Sequence, residues 1–191
     1  MKPFWALRAH APDGGKKGDP YATLQQMTLE ELTPGEVVVE VHYSSVNYKD
    51  ALAATGRGRI LKKFPLNIGI DAAGVVLESA DPRFTKDQKV IITGCGIGEN
   101  DDGGYSEVLR VKAESVVPLP AGLSLKESMI LGTAGFTAAL AMHRMQENHQ
   151  RPSMGPILVT GASGGVGSFA VQLFAQEGYE VIALSSKHEA V

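Results

Sequence analysis

The fold is decided by the stretch Ile157-Leu158-Val159-Thr160-Gly161-Ala162-Ser163-Gly164-Gly165-Val166-Gly167-Ser168. A short apolar run at 157–160 leads directly into the glycine-rich segment 161–168. An amphipathic segment then leads to a second apolar run at 179–184, so the order predicts strand, tight turn, helix and strand. Such a turn brings backbone N–H groups close to a pyrophosphate at the positive end of the helix. The stretch therefore predicts a dinucleotide site.

The spacing of Gly161, Gly164 and Gly167 is a weak signal by itself, and the flanking segments strengthen it. Gly178 suits the left-handed position after the predicted helix. The alternative is a βαβ unit whose turn binds no ligand. Apolar residues that recur at helical spacing predict one face packed on a sheet: Val166, Phe169, Ala170, Leu173 and Phe174.

The end of the second apolar run discriminates between cofactors. An NAD site usually has Asp or Glu there, whereas this chain has Ser185-Ser186-Lys187. Two hydroxyls and a cation suit a 2′-phosphate and favour NADP(H). The alternative is a polar strand end with an exposed lysine. The predicted cofactor-binding residues here are Ser163, Gly164, Gly165, Val166, Gly167, Ser168, Ser185, Ser186 and Lys187.

The first part of the chain is rich in short strand-like runs separated by Gly and Pro, a spacing that predicts a barrel or sandwich. A polar loop is predicted at 11–20, and one or two helical turns at 48–54, ending at Gly56. The predicted strands are 5–9, 36–41, 70–78, 89–93, 105–111 and 115–117.

Ser124 and Glu127 have the spacing of a capping box, which predicts a helix from there to about Asn148, with a break between Gly132 and Gly135. We therefore expect two domains. We expect a strand-rich domain at residues 1–125, and a connecting helix with part of a Rossmann domain at residues 126–191.

Composition excludes several classes of protein. The net charge of −3 gives no electrostatic reason to bind nucleic acid or an anionic membrane. No apolar run approaches the roughly 20 residues of a membrane span. The N-terminal sequence has no signal pattern, and with a single cysteine the expected location is a reducing cytoplasm. Cys95 is the single cysteine, which excludes an internal disulfide and any zinc site with several cysteines.

The sequence resembles the medium-chain dehydrogenase/reductases, in the acrylyl-CoA reductase branch close to the quinone oxidoreductases. The resemblance covers nearly the whole chain, and implies a GroES-like N-terminal catalytic domain followed by a Rossmann domain. The motifs that carry it are 44–52 (SSVNYKDAL), 69–74 (GIDAAG), 103–107 (GGYSE), 132–138 (GTAGFTA) and 159–168 (VTGASGGVGS).

Zinc-dependent members of that superfamily have a cysteine near position 47 and Gly-His-Glu near position 69. This chain has Asn47 and Gly69-Ile70-Asp71 there, and its five histidines have no metal-like spacing. Because a catalytic zinc needs three protein ligands, no metal is expected.

The resemblance implies NADPH-dependent reduction of the C=C bond of an α,β-unsaturated acyl-CoA such as acryloyl-CoA, with hydride to the β-carbon and a proton to the α-carbon. It places Tyr48 at the nicotinamide end of the cofactor. Either the Tyr48 hydroxyl or the Asn47 amide would donate to the thioester oxygen or to a cofactor amide, and Asp50 would orient neighbouring groups. The alternatives are a core tyrosine at Tyr48 and a capping or structural carboxylate at Asp50; the proton donor stays open.

Two other functions remain possible at this point. One is quinone or enal reduction on the same scaffold, and the other is a non-catalytic homologue that acts as an interaction module. Members of the family continue well past position 191, whereas this chain supplies two predicted Rossmann strands and one helix. We therefore expect a fragment with little or no catalysis as it stands, and a full-length form that is a homodimer.

Overall fold

The computed structural model describes residues 1–11 and 21–186. These residues divide into two compact units, Met1–Gly132 and Thr133–Val191. The loop predicted at 11–20, apart from Ala11, lies outside the described residues, and so does Lys187.

The described part of the first unit contains two antiparallel sheets, one short helix and the start of a long helix. The short helix, α1, is Tyr48–Ala54, as predicted. The strands are β1 Phe4–His10, β2 Tyr21–Met27, β3 Val37–Tyr43, β4 Leu66–Asn67, β5 Asp71–Ser79, β6 Lys89–Thr93, β7 Val108–Val111 and β8 Val117–Pro118. The five-stranded sheet has the order β7-β3-β5-β6-β8, and the three-stranded sheet has the order β2-β1-β4.

The first three residues of strand β3, 37–39, are buried on both faces of the sheet, which explains their continuous apolar run. Val37 and Val39 belong to the main core of the five-stranded sheet, with Ile92 and Leu109 among their neighbours. Val38 points to the opposite face and belongs to a second cluster that includes Phe4 and Met27. Alternate side chains of a strand project to opposite faces, so this strand supplies apolar side chains to both cores.

Four features of the strands of this unit were predicted wrongly or missed, and one of them is the two-residue strand β4, which was not predicted. Strand β2 was not predicted, because only Met27 of its seven residues is buried and no alternation marks it. The strand predicted at 105–111 begins at Val108, since the backbone of Tyr105 and Glu107 bonds to Ile68 and Trp5. The segment predicted as a strand at 115–117 starts with a 3-10 turn, Ala113–Ser115.

Helix α2 spans Leu125–Glu147 and contains a break at Gly132, where φ is 50° and ψ is −158°. The predicted capping box is confirmed. The Glu127 carboxylate accepts from the Ser124 N–H at 2.8 Å, and the Ser124 hydroxyl accepts from the Glu127 N–H at 3.2 Å. The break lies at the boundary between the two compact units.

The second unit contains the predicted strand, turn, helix and strand. Strand β9 is Ile157–Thr160, helix α3 is Gly165–Gln176, and strand β10, Val181–Leu184, pairs parallel with β9. The helix packs through Ala170 and Phe174. Val166, predicted on the packed face, is 42% exposed, so that prediction was wrong for this residue.

Strand β10 begins two residues later than predicted. Tyr179 belongs to the connection and not to the strand, because its backbone N–H donates to the Phe174 carbonyl at 3.0 Å; its hydroxyl donates to the Gln150 carbonyl, also at 3.0 Å. Its ring also meets Phe174 edge-on at 5.6 Å. Gly178 has φ 86°, the left-handed conformation predicted for the residue that follows this helix.

Candidate functional site

The turn between β9 and α3 has a backbone that depends on glycine at two positions. Gly161 has φ 63°, a left-handed conformation that residues with a side chain rarely adopt. A Cβ at Gly167 would lie 2.8 Å from the Cα of Ala162 and from the carbonyl carbon of Gly161, and closer still to the Gly161 oxygen. The start of the helix therefore lies directly against the turn.

The N-terminus of α3 presents backbone donors without a side-chain cap. Gly164 is the N-cap residue, no side chain caps the helix, and its first turn contains no acidic residue. The Ser168 N–H donates to the Gly164 carbonyl at 2.8 Å. The N–H groups of Gly165, Val166 and Gly167 precede this bond and have no intrahelical acceptor. With the helix dipole, they form a site suited to an anion.

Hydrogen bonds join the residues that follow β9 to the end of β10, beside this turn. The Ala162 N–H donates to the Leu184 carbonyl at 3.1 Å, and the hydroxyls of Ser163 and Ser185 are 2.8 Å apart. The Ser168 hydroxyl donates to the Gly165 carbonyl at 3.0 Å. Of the residues predicted to hold a 2′-phosphate, Ser185 is half-buried and Ser186 is exposed. Lys187 lies outside the described residues.

The second candidate cluster lies at the start of α1 in the first unit. The Asn47 side-chain amide donates to Asp71 Oδ2 at 2.8 Å, and the Asn47 backbone N–H donates to Asp50 Oδ2, also at 2.8 Å. Asp50 Oδ1 accepts from the Ile70 N–H at 3.0 Å. Asp50 is 2% exposed and Asp71 is fully buried. Buried polar groups of this kind are held by their hydrogen bonds.

The Tyr105 hydroxyl completes this network. It lies 3.2 Å from Asp50 Oδ2 and 3.0 Å from the Ser45 carbonyl. Burial, and then the negative charge of Asp50, raise the pKa of Tyr105 far above its ordinary value. The phenol therefore keeps its proton above the pH at which a free tyrosine releases it, and it remains a hydrogen-bond donor there.

Tyr48 differs from its neighbours because its side chain is 81% exposed. Within residues 1–11 and 21–186 its hydroxyl has no hydrogen-bond partner. The alternative of a core tyrosine at this position was therefore wrong. A phenol in this setting is available to a ligand.

Two members of the cluster were not among the predicted site residues. Asp71 and Tyr105 were quoted only as parts of motifs, yet they contact Asn47 and Asp50. Gly132 also packs here, since a Cβ at this position would meet the Ser45 hydroxyl and lie 3.0 Å from Asp71 Oδ2. The signal that could have marked Asp71 is its acidic character in an otherwise apolar run, 70–76.

No group of three or more His, Cys, Asp or Glu side chains in the described part of the chain is arranged to hold a metal ion. Within residues 1–11 and 21–186, no helix has both the length and the apolar character needed to cross a bilayer.

A strand-rich unit followed by a βαβ unit with a glycine turn defines a GroES-like domain joined to the first part of a Rossmann domain. Comparison with known proteins agrees. Residues 33–121 match the family described as alcohol dehydrogenase GroES-like domain, and residues 157–191 match the NAD dependent epimerase/dehydratase family.

Among individual proteins, the chain is 50% identical over 170 residues to the probable acrylyl-CoA reductase AcuI of Escherichia coli, covering 89% of this chain and 52% of that protein. It is 47% identical over 167 residues to the putative quinone oxidoreductase YhfP of Bacillus subtilis, covering 87% and 51%. The chain belongs to the medium-chain dehydrogenase/reductase superfamily, with quinone oxidoreductase-like relatives.

Solved structures show the same relationship. The yhdH oxidoreductase from Salmonella enterica, in complex with NADP, superposes with a TM-score of 0.91 at 49% identity, over 96% of this chain and 56% of that one. YhfP from Bacillus subtilis, with NAD bound, superposes with a TM-score of 0.92 at 44% identity, over 100% and 56%. The chain therefore spans about half the length of the relatives that it matches.

Proposed function

We propose that the protein carrying this chain reduces the C=C bond of an α,β-unsaturated acyl-CoA such as acryloyl-CoA, with NADPH as the reductant. The observation that carries the proposal is the uncapped start of α3 beside a turn that requires glycine. The class of reaction, reduction of an activated C=C bond, is supported by the 50% identity of the chain to a probable acrylyl-CoA reductase.

The residues present fit a dinucleotide. The N–H groups of Gly165, Val166 and Gly167 would hold the pyrophosphate, and the first turn of α3 contains no carboxylate to repel it. Ser163 lies in the same turn, where its hydroxyl is hydrogen-bonded to that of Ser185. The Ser168 hydroxyl would stabilise the start of α3 through its hydrogen bond to the Gly165 carbonyl. When bound, NADPH supplies the hydride that is added to the β-carbon of the substrate.

The choice of NADP(H) over NAD(H) rests on the end of β10. Ser185 and Ser186 follow the strand where an NAD site usually has a carboxylate, and Lys187 follows in the sequence. Two hydroxyls and a cation favour a 2′-phosphate. Among the solved relatives, two structures contain NADP or NADPH and one contains NAD, and the local chemistry at the end of β10 agrees with the first two.

Tyr48 and Asn47 would stabilise negative charge on the thioester oxygen as the C=C bond is reduced. A donor aimed at an oxygen that gains charge lowers the barrier in proportion to the strengthening of its hydrogen bond. Tyr48 is the better donor, because its hydroxyl is exposed, whereas one N–H of the Asn47 amide is already given to Asp71. Asp50 would position Asn47 through the backbone bond of 2.8 Å.

The substrate is tested by comparing turnover of acryloyl-CoA and of a simple quinone with NADPH in excess. We expect acryloyl-CoA to have the higher kcat/KM. The second candidate is quinone or enal reduction, which the 47% identity to the putative quinone oxidoreductase YhfP favours. A higher kcat/KM for the quinone would support that candidate and reject the acyl-CoA proposal.

A third possibility is a non-catalytic homologue that acts as an interaction module. Failure to bind NADPH, together with no turnover of either substrate, would support it. The proposal also includes the domain assignment 1–125 and 126–191, a cytoplasmic location and a homodimeric full-length form. Sedimentation velocity of the purified protein tests the last of these.

A further inference from the structure

The segment 57–63 (RGRILKK), directly after α1, is strongly basic. Arg57, Arg59, Lys62 and Lys63 are all exposed, although the whole chain has a net charge of −3. The segment thus concentrates positive charge at one end of the helix.

Most of this charge is not neutralised locally. In the described part of the chain, no carboxylate lies within 4.0 Å of the charged groups of Arg57, Arg59 or Lys62, and Lys63 is 3.8 Å from Asp101. Asp101 Oδ2 is also 3.1 Å from Lys112 Nζ, so the negative charge of Asp101 compensates Lys63 only in part. Unpaired guanidinium groups are strong donors for phosphate oxygens.

Glu99 is the other carboxylate beside this segment. It is 2.7 Å from Lys49, which compensates its charge, and its backbone carbonyl accepts from the Lys62 N–H at 2.9 Å. The acidic residues next to the segment are therefore already paired with other cations, and a net positive potential remains.

A small pocket is lined by one of these cations, Arg59. Its volume is about 240 Å³, and Arg59 lies on its wall next to the apolar side chains of Leu52, Ala53, Ile60, Leu61 and Phe64. Pockets for complete drug-sized ligands are about 300 Å³ or larger, so this one suits part of a ligand. An apolar floor with a guanidinium at the rim can stack a flat base.

The position of the pocket relates it to the candidate site. Helix α1 has Asn47 and Tyr48 at its start, and Leu52 and Ala53 of the pocket in its last turn. Seven residues of helix are roughly 10 Å long. A long flexible arm, such as the pantetheine of coenzyme A, can bridge this distance.

We propose that this pocket and the cations Arg57 and Arg59 bind the phosphorylated nucleotide end of the acyl-CoA substrate. The base enters the apolar pocket and the phosphates lie against the arginines, so that the thioester reaches the start of α1. The inference rests on the proposed function, because it specifies how the same substrate is held. A phosphate of NADPH has the same chemistry, and the experiment separates the two sources.

The test is calorimetric titration of the protein with coenzyme A, in the absence of NADPH. The variant is Arg57→Gln with Arg59→Gln, and the matched control is Lys86→Gln with Lys126→Gln, which removes the same charge from exposed positions elsewhere. Because the variant removes two exposed charged contacts, each of which contributes modestly, we expect coenzyme A affinity to fall about tenfold in the arginine variant. The control variant should bind like the wild type.

Further titrations identify the ligand. Dephospho-coenzyme A, which lacks the 3′-phosphate, should bind the wild type more weakly than coenzyme A. NADPH affinity should be equal in the wild type and the arginine variant, which keeps this test separate from that of the cofactor site.

The inference is overturned if the wild type does not bind coenzyme A, or if the arginine variant binds it as tightly as the wild type. It is also overturned if the arginine variant loses NADPH and coenzyme A affinity together, because the patch would then serve the cofactor. Circular dichroism of both variants checks that they fold, and Lys62→Gln provides a second, independent charge removal.

Discussion

Replacement of Gly167 by alanine is expected to weaken both the fold of the second unit and its affinity for NADPH. The new Cβ would lie 2.8 Å from the Cα of Ala162 and from the carbonyl carbon of Gly161, and nearer still to the Gly161 oxygen. All three neighbours are backbone atoms. No side chain can rotate away, so the first turn of α3 must separate from the turn that precedes it.

The size of the effect follows from this geometry. Overpacking usually destabilises by about 1–3 kcal/mol, and a clash with backbone alone favours the upper part of that range. Moving the N–H groups of Gly165 and Val166 away from a phosphate weakens hydrogen bonds that contribute about 1.5–3 kcal/mol each. We therefore expect the Kd for NADPH to rise at least about tenfold.

Gly178→Ala is the matched control, because it changes a glycine of the same βαβ unit without a clash. Gly178 has φ 86°, and a Cβ there would have nothing within 4 Å. Its expected effect is only the conformational penalty of a left-handed residue, about 1–2 kcal/mol. NADPH affinity should be unchanged, because Gly178 lies at the opposite end of α3 from the turn.

Both variants can be measured by urea unfolding and by titration with NADPH while the nicotinamide fluorescence is followed. The reasoning is refuted if Gly167→Ala matches the wild type in unfolding midpoint and in Kd. It is also refuted if Gly178→Ala weakens NADPH binding as much as Gly167→Ala does.

Two further predictions concern the cluster at the start of α1. In the full-length protein, Tyr48→Phe should leave the free energy of unfolding within about 0.5 kcal/mol. Loss of an oxyanion donor should lower acryloyl-CoA turnover about 100-fold, and unchanged turnover and NADPH affinity would remove Tyr48 from the site. The raised pKa of Tyr105 predicts that the free energy of unfolding falls as pH rises above about 10. Above that pH the phenol of the unfolded chain releases its proton, whereas the phenol of the folded chain retains it. The fall is at most about 1.4 kcal/mol per pH unit. Tyr105→Phe should lack this fall when urea midpoints are compared between pH 9 and 11, and equal slopes in both proteins would contradict the assignment.

The features that could be predicted from the sequence are those in which a local pattern sets the structure. Ser124 and Glu127 satisfy each other's backbone donors within one helical turn. The turn with Gly161 and Gly167 depends on contacts within seven residues. In both cases the chain needs no distant partner to select the conformation, so the spacing of these residues, together with the segments that flank them, predicted the local structure.

The parts that could not be predicted depend on distant partners. Asp50 accepts from Ile70, 20 positions away, and from Tyr105, 55 positions away. Strand β2 is specified by pairing along its whole length with β1, and its own residues are mostly exposed or half-buried. Its sequence therefore has little hydrophobic alternation, because pairing with β1, and not burial of its side chains, selects the extended conformation.

The dinucleotide site is tested most directly by titrating the 191-residue chain with NADPH and following the nicotinamide fluorescence. The yhdH oxidoreductase of Salmonella enterica, crystallised with NADP, serves as the positive control. We predict saturable binding that is tighter for NADPH than for NADH, because Ser185 and Ser186 replace the carboxylate usual in NAD sites. No saturable binding under conditions where the control binds, or tighter binding of NADH, would contradict the proposed NADPH site.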